Sequence, residues 1–219
     1  RNSPRKKQLL AFSATIGKEI FLTLKNHMKK PKRIEANLQV SPKKLKQEFY
    51  EVDPKMKLSL LNHLLNTERA GLVIIFVNRQ DTAEFIHKNL KTDYLKIDIS
   101  HGDMTRGKRN RILKNFNDQK FDVLITTDMI ARGIDLENVT HIYNYNIPNF
   151  SEKYIHRIGR TARAGSTGKV INFVSEKEIP SFSQILKDFR ISMQRKDLPK
   201  FDELEVKKDL KKKKYRLKF

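Results

Sequence analysis

The chain has 219 residues, enough for one full domain with extensions or for two small domains. It contains no cysteine, which excludes a disulfide framework and a thiolate metal site, and no apolar run of the length a membrane helix needs. Its 46 Lys and Arg against 25 Asp and Glu give a net charge of +21, which points to a polyanionic partner, nucleic acid ahead of an anionic membrane.

The opening string RNSPRKKQLL is no signal peptide and reads as the middle of a domain, so a fragment of a longer protein is expected. A short apolar run at 9–12 is followed by Ser13-Ala14-Thr15 and by a helical pattern from 18 to about 28, which Pro31 stops. Residues 31–57, lysine-rich and carrying Pro31, Pro42 and Pro54, read as a linker leading into a strand around 47–52. Strand-like runs then fall at 72–77, 94–99, 123–127, 140–145 and 169–174. Helical spacing is found at 81–90 and 108–116, with short helices near 128–131 and 151–158 and a longer one over 179–189. The end of the chain, KKDLKKKKYRLKF, reads as a solvated nucleic-acid-binding arm or a nuclear-targeting patch.

Apolar strand runs alternating with helices predict an α/β fold, a three-layer domain with a mainly parallel sheet covered by helices on both faces. Ligands of such sheets meet the carboxyl ends of the strands. Asn78-Arg79, His101-Gly102-Asp103 and Thr127-Asp128 are all expected to emerge there.

The densest chemistry is in YIHRIGRTAR, residues 154–163. Arg157, Arg160 and Arg163 recur every third residue and are expected to share one broad face of a helical turn. A guanidinium fork suits phosphate oxygens bidentately. The stretch from Gly102 to Arg109 imitates a P-loop, G-x-x-x-x-G-K, between a strand and a helix. It puts Arg109 where a magnesium-binding Ser or Thr is required, and no acidic pair closes an apolar strand, so it reads as a decoy. His101 and His141 are far apart and lack zinc-site spacing, so no metal site is expected and structural roles are assigned to both. Phe and Tyr within the strands read as core.

HRIGRTAR resembles the signature of DEAD-box RNA helicases. Ser13-Ala14-Thr15, IIFVNR (74–79), TTDMIARGID (126–135) and NYNIP (144–148) resemble further motifs of that family, in the family's order, over roughly residues 9–175. Two positions depart from its pattern: Asn146 stands where Asp is usual, and Arg106 where Gln is usual, while Arg109 is kept.

The resemblance implies a RecA-like second domain at 47–195. Residues 1–36 would be the remnant of a first such domain, 37–46 a linker and 196–219 a basic tail. It implies arginine fingers at Arg160 and Arg163 that reach the γ-phosphate, and ATP contacts at Gly133 and Asp135. RNA-backbone contacts are implied at Arg79, Gly102, Arg109, Thr127 and Arg132, and interdomain coupling through Ser13, Thr15 and His156. ATP and Mg²⁺ would be bound mainly by the first domain, which has the P-loop and DEAD motif that this sequence lacks. The expected activity of the intact protein is ATP hydrolysis coupled to RNA duplex opening or ribonucleoprotein remodelling, with the present chain alone inactive. RNA bound largely without regard to sequence, no membrane and a monomer are expected, in the cytoplasm or, as an alternative, the nucleus or nucleolus. A DNA-acting superfamily-two motor and a non-catalytic RNA-binding module are the competing readings.

Overall fold

The computed structural model describes residues 4, 7–12, 18–28, 30–32, 34, 44–68, 70–92, 94–128, 136, 138–162 and 167–206. The chain divides into two units, Arg1–Gln39 and Val40–Phe219. In the first, helix α1 (Lys18–His27) carries Lys25 and His27 in its last turn, where cations favour the helix dipole. Leu9, Leu10, Phe12, Leu22 and Ile34 of this unit are exposed.

The second unit is built on seven strands: β1 (Leu45–Glu51), β2 (Leu72–Val77), β3 (Ile97–Ser100), β4 (Val123–Thr127), β5 (Val139–Asn144), β6 (Gly168–Val174) and β7 (Gln194–Lys196). All pair in parallel in the order β3-β4-β2-β5-β6-β1-β7. Its helices are α2 (Lys57–Thr67), α3 (Gln80–Asn89), α4 (Arg106–Asn117), α5 (Ser151–Ile158) and α6 (Ile179–Phe189). The central strand β2, LVIIFV, is buried at every residue. Ile74 and Phe76 face a cluster completed by Ile112 and Phe116 of α4, Tyr154 and Ile158 of α5, and Phe182 and Ile185 of α6. Val73, Ile75 and Val77 face the opposite cluster, with Leu61 and Leu65 of α2 and Ala83 and Ile86 of α3. Both faces are thus covered, which is why the strand runs are continuously apolar rather than alternating.

The structure departs from the sequence reading in four places. Helix α2 was not anticipated between 57 and 72, although Leu58, Leu61 and Leu65 already have helical spacing. β3 begins three residues later than expected, because Tyr94 is exposed and spends its hydroxyl on the Asn66 carbonyl at 2.6 Å. The edge strand β7 is an addition. Residues beyond it are not all solvated: Phe201 and Leu204 pack on the α2 side of the core, the Phe201 ring lies 5.9 Å from His63, and the Leu204 N–H donates to Ser59 Oγ at 2.9 Å. The short helix expected near 128–131 and the basic run 207–219 lie outside the described residues.

Toward the amino-terminal end of the sheet, Glu48 is buried among lysines, 2.7 Å from Lys46, 3.2 Å from Lys169 and 3.7 Å from Lys196. Burial alone raises its carboxyl, but Lys46 and Lys169 outweigh that and hold it below its ordinary value. Lys169 also meets Glu68 at 2.7 Å, and His141 lies 3.9 Å from the same carboxylate. Burial pushes the His141 imidazole below its ordinary value despite that neighbour.

Candidate functional site

Three adjacent strands, β3, β4 and β2, deliver their carboxyl ends to one edge of the molecule. Arg79 stands two residues after the end of β2, is exposed, and pairs with exposed Asp81 at the start of α3. The β3–α4 turn carries Gly102 and is tied to α3 by two links: Gln80 Nε2 donates to Asp103 Oδ2 at 2.5 Å, and His101 Nε2 lies 3.5 Å from Glu84. Thr105 caps α4, accepting from the Lys108 N–H at 3.4 Å. The first turn of α4 has no acid and holds Arg106 and Lys108, both exposed, and half-buried Arg109. A Cβ added at Gly107 would meet nothing within 4 Å. Thr127, half-buried, ends β4 between these two loops. Arg79, Gly102, Arg109 and Thr127 therefore share one end of the sheet.

The HRIGRTAR segment is arranged differently from the expected single arginine face. Helix α5 stops at Ile158 with Gly159 as its cap, so Arg160 lies beyond the helix. Arg157 is 1% exposed, and its side chain turns back toward the carboxyl end. Nε donates to Asp128 Oδ1 at 2.5 Å, and Nη2 donates to Asp128 Oδ2 at 3.1 Å and to Asn78 Oδ1 at 2.8 Å. Nη1 donates to Asn144 Oδ1 at 3.1 Å and to the Asn146 carbonyl at 2.7 Å. The group lies 5.1 Å from the Phe76 ring centroid. All five N–H donors of the guanidinium are accounted for, which leaves none for a ligand. The chain of polar contacts continues across the sheet: Asn144 Nδ2 donates to Asn172 Oδ1 at 2.8 Å, and Asn172 Nδ2 donates to the Glu48 carbonyl at 3.0 Å.

Arg160 sits toward the opposite end. Thr161 donates to the carbonyl of Val139, the first residue of β5, and a Cβ added at Gly168, the first residue of β6, would come within 2.3 Å of Thr161 Oγ1. Gly168 is the position where the absence of a side chain lets the turn after α5 dock. Arg160 itself is half-buried, and its N–H donates to the Arg157 carbonyl at 3.1 Å. His156 is half-buried on α5. Ser13, Thr15, Arg132, Gly133, Asp135 and Arg163 lie outside the described residues.

Residues 56–165, about half of the chain, match the helicase conserved C-terminal domain family. The C-terminal domain of the DEAD-box protein Dbp5 superposes with a TM-score of 0.65 at 35% identity, covering 69% of this chain and 89% of that one. The chain belongs to the DEAD-box helicase family. Saccharomyces cerevisiae Dbp5 bound to RNA and ADP BeF3 is a further structural relative of this DEAD-box domain, with a TM-score of 0.78 and 33% identity over 88% of this chain and 52% of that one. The DEAD-box ATP-dependent RNA helicase CshA of Geobacillus kaustophilus is 33% identical over 201 residues. That match takes in 91% of this chain and 43% of the relative, so the chain spans less than half of that protein.

What the sequence reading of this DEAD-box domain missed is the buried polar core of the site: Arg157, Asp128, Asn144 and Asn172. Its trace in the sequence is two asparagines inside otherwise apolar strands, VTHIYN and GKVINFV, each of which needs a buried partner.

Proposed function

We propose that this chain is the second RecA-like domain of an ATP-dependent RNA helicase and that RNA lies along the carboxyl end of β3, β4 and β2. Hydroxyl and guanidinium groups of Thr127, Arg79 and Arg109, with the backbone at Gly102 and with Arg132, would hold phosphates of the strand. Contacts of that kind position a nucleic acid without reading its bases. ATP is the substrate and would be carried with Mg²⁺ mainly on a companion domain, which approaches the other part of the site. There Arg160 and Arg163 would stabilise charge on the transferred phosphoryl group, Gly133 and Asp135 would meet the ribose, and His156 with Ser13 and Thr15 would couple the two domains. The observation that carries this reading is the gathering of Arg79, Gly102, Arg109 and Thr127 on three neighbouring strands, with Arg160 held on a separate docked turn.

In the full-length protein, Arg160→Ala is expected to lower RNA-stimulated ATP turnover by about 10³-fold, the lower range for an arginine finger. RNA affinity, measured by fluorescence anisotropy, should change by less than about threefold, because the residue stabilises a transition state rather than the RNA complex. Turnover equal to that of the parent would remove Arg160 from the site.

A further inference from the structure

Arg157 joins the two parts of this site, and its own position in the signature string does not make it a finger. Its backbone belongs to the last turn of α5, three residues before Arg160, and its carbonyl accepts the Arg160 N–H. Its guanidinium is fixed at the far end of the sheet by Asp128, which directly follows Thr127, and by Asn78, which directly precedes Arg79. We propose that Arg157 is a positioning residue that makes the placement of the Arg160 turn depend on RNA held at Thr127 and Arg79. The proposal rests on the RNA-site reading above.

The physical case is one of connectivity and stiffness. A planar fork with five satisfied donors in a dry environment has no second low-energy arrangement, so a displacement of Asp128 or Asn78 must be followed by the guanidinium or break several hydrogen bonds at once. The Phe76 ring limits movement out of that plane. From the guanidinium the constraint passes along the side chain into the end of α5, and from there through the Gly159 cap to Arg160 and Thr161. Asn146 strengthens the same frame from the other side, its Oδ1 accepting the Asn78 N–H at 3.3 Å. Ordering Thr127-Asp128 and Asn78-Arg79 against a phosphate backbone therefore narrows the range of positions open to Arg160. Lys153, one turn earlier on α5, adds a second cation 3.7 Å from Asp128 and supports the same end of the frame.

The test uses the 219-residue chain itself, with a uridine decamer as RNA, and reads amide hydrogen exchange at residues 159–162 with and without saturating RNA. In the parent, RNA is expected to slow exchange there at least fivefold. In Arg157→Lys, which keeps the charge but loses the fork, that effect should fall below twofold while RNA affinity stays within about threefold. Asp128→Asn, a milder change at a partly exposed residue, should give the same loss, and the double variant no further loss, because the pair acts as a unit. A purely structural role predicts instead faster exchange in both the free and bound states with the ratio between them preserved. That preserved ratio, or losses that multiply in the double variant, would overturn the proposal. Absence of RNA binding by the parent chain would overturn the RNA-site reading and this inference with it, whereas binding without slowed exchange at 159–162 removes the inference alone.

Discussion

Both ends of the sheet bury charge, and they do so to different effect. At the amino-terminal end, Glu48, Glu68, Lys169 and Lys46 are joined by single contacts between flexible side chains, and Glu48 has three lysines to choose from. At the carboxyl end, one arginine meets four residues from β5, the β2–α3 loop, the β4 end and the β5–α5 connection, with no donor to spare. The first arrangement tolerates the loss of a partner. The second does not, and it is the one that touches the loops of the proposed RNA site. Redundant pairing staples strands, whereas a fully committed fork specifies one geometry.

The sharpest way to break the comparison is Arg157→Met, which keeps the length of the side chain and removes every donor. It should lower stability by about 3–5 kcal/mol, the usual effect of leaving one half of a buried pair behind. A shift of the urea midpoint of under a tenth of the parent value would contradict the picture of an irreplaceable hub. Lys169→Met at the other end should cost only about 1–2 kcal/mol, since Glu48 keeps Lys46 and Lys196. RNA affinity should be unchanged in that variant, and a loss of binding beyond about threefold would show that the two ends are not separable. The smallest change sharpens the site end: Ala162 adopts a left-handed backbone with φ of 54°, so Ala162→Gly should raise stability by about 1 kcal/mol. Thermal unfolding that is unaltered or lowered would place no strain in the turn that holds Arg160.

The parallel sheet was legible because β2, β4 and β6 are apolar on both faces, and because turn residues separate them from periodic helices. The loops of the proposed RNA site were legible for the same reason: a parallel strand points its end at the site. Helix α2 was obscured by the lysines at and before its start, and its first residue, Lys57, is in fact buried. Its Nζ meets Glu178 at 2.5 Å and the carbonyls of Tyr145 and Phe173 at 2.9 Å, and burial lowers its ammonium below the ordinary value even with Glu178 alongside. The different fates of Arg157 and Arg160 could not be read from their spacing. An i, i+3 pair shares a face only while the helix lasts, and α5 ends between them. Burial of a guanidinium is a property of what surrounds it, and its partners Asn78, Asp128 and Asn144 come from distant parts of the sequence.

The segment after β7 gives the chain a direction of departure. It runs along α2 from His63, where Phe201 rests, to Ser59, where Leu204 is hydrogen-bonded, and so travels toward the helix's first turn. That turn lies at the carboxyl end of the sheet, since Lys57 there reaches the Tyr145 and Phe173 carbonyls. The described segment thus heads for the same end of the sheet as Arg79 and Thr127, away from the Val139 end that seats the Arg160 turn. Of the residues from Lys207 to Phe219, all but five are Lys or Arg, so in the sequence this segment is followed at once by the chain's steepest concentration of positive charge.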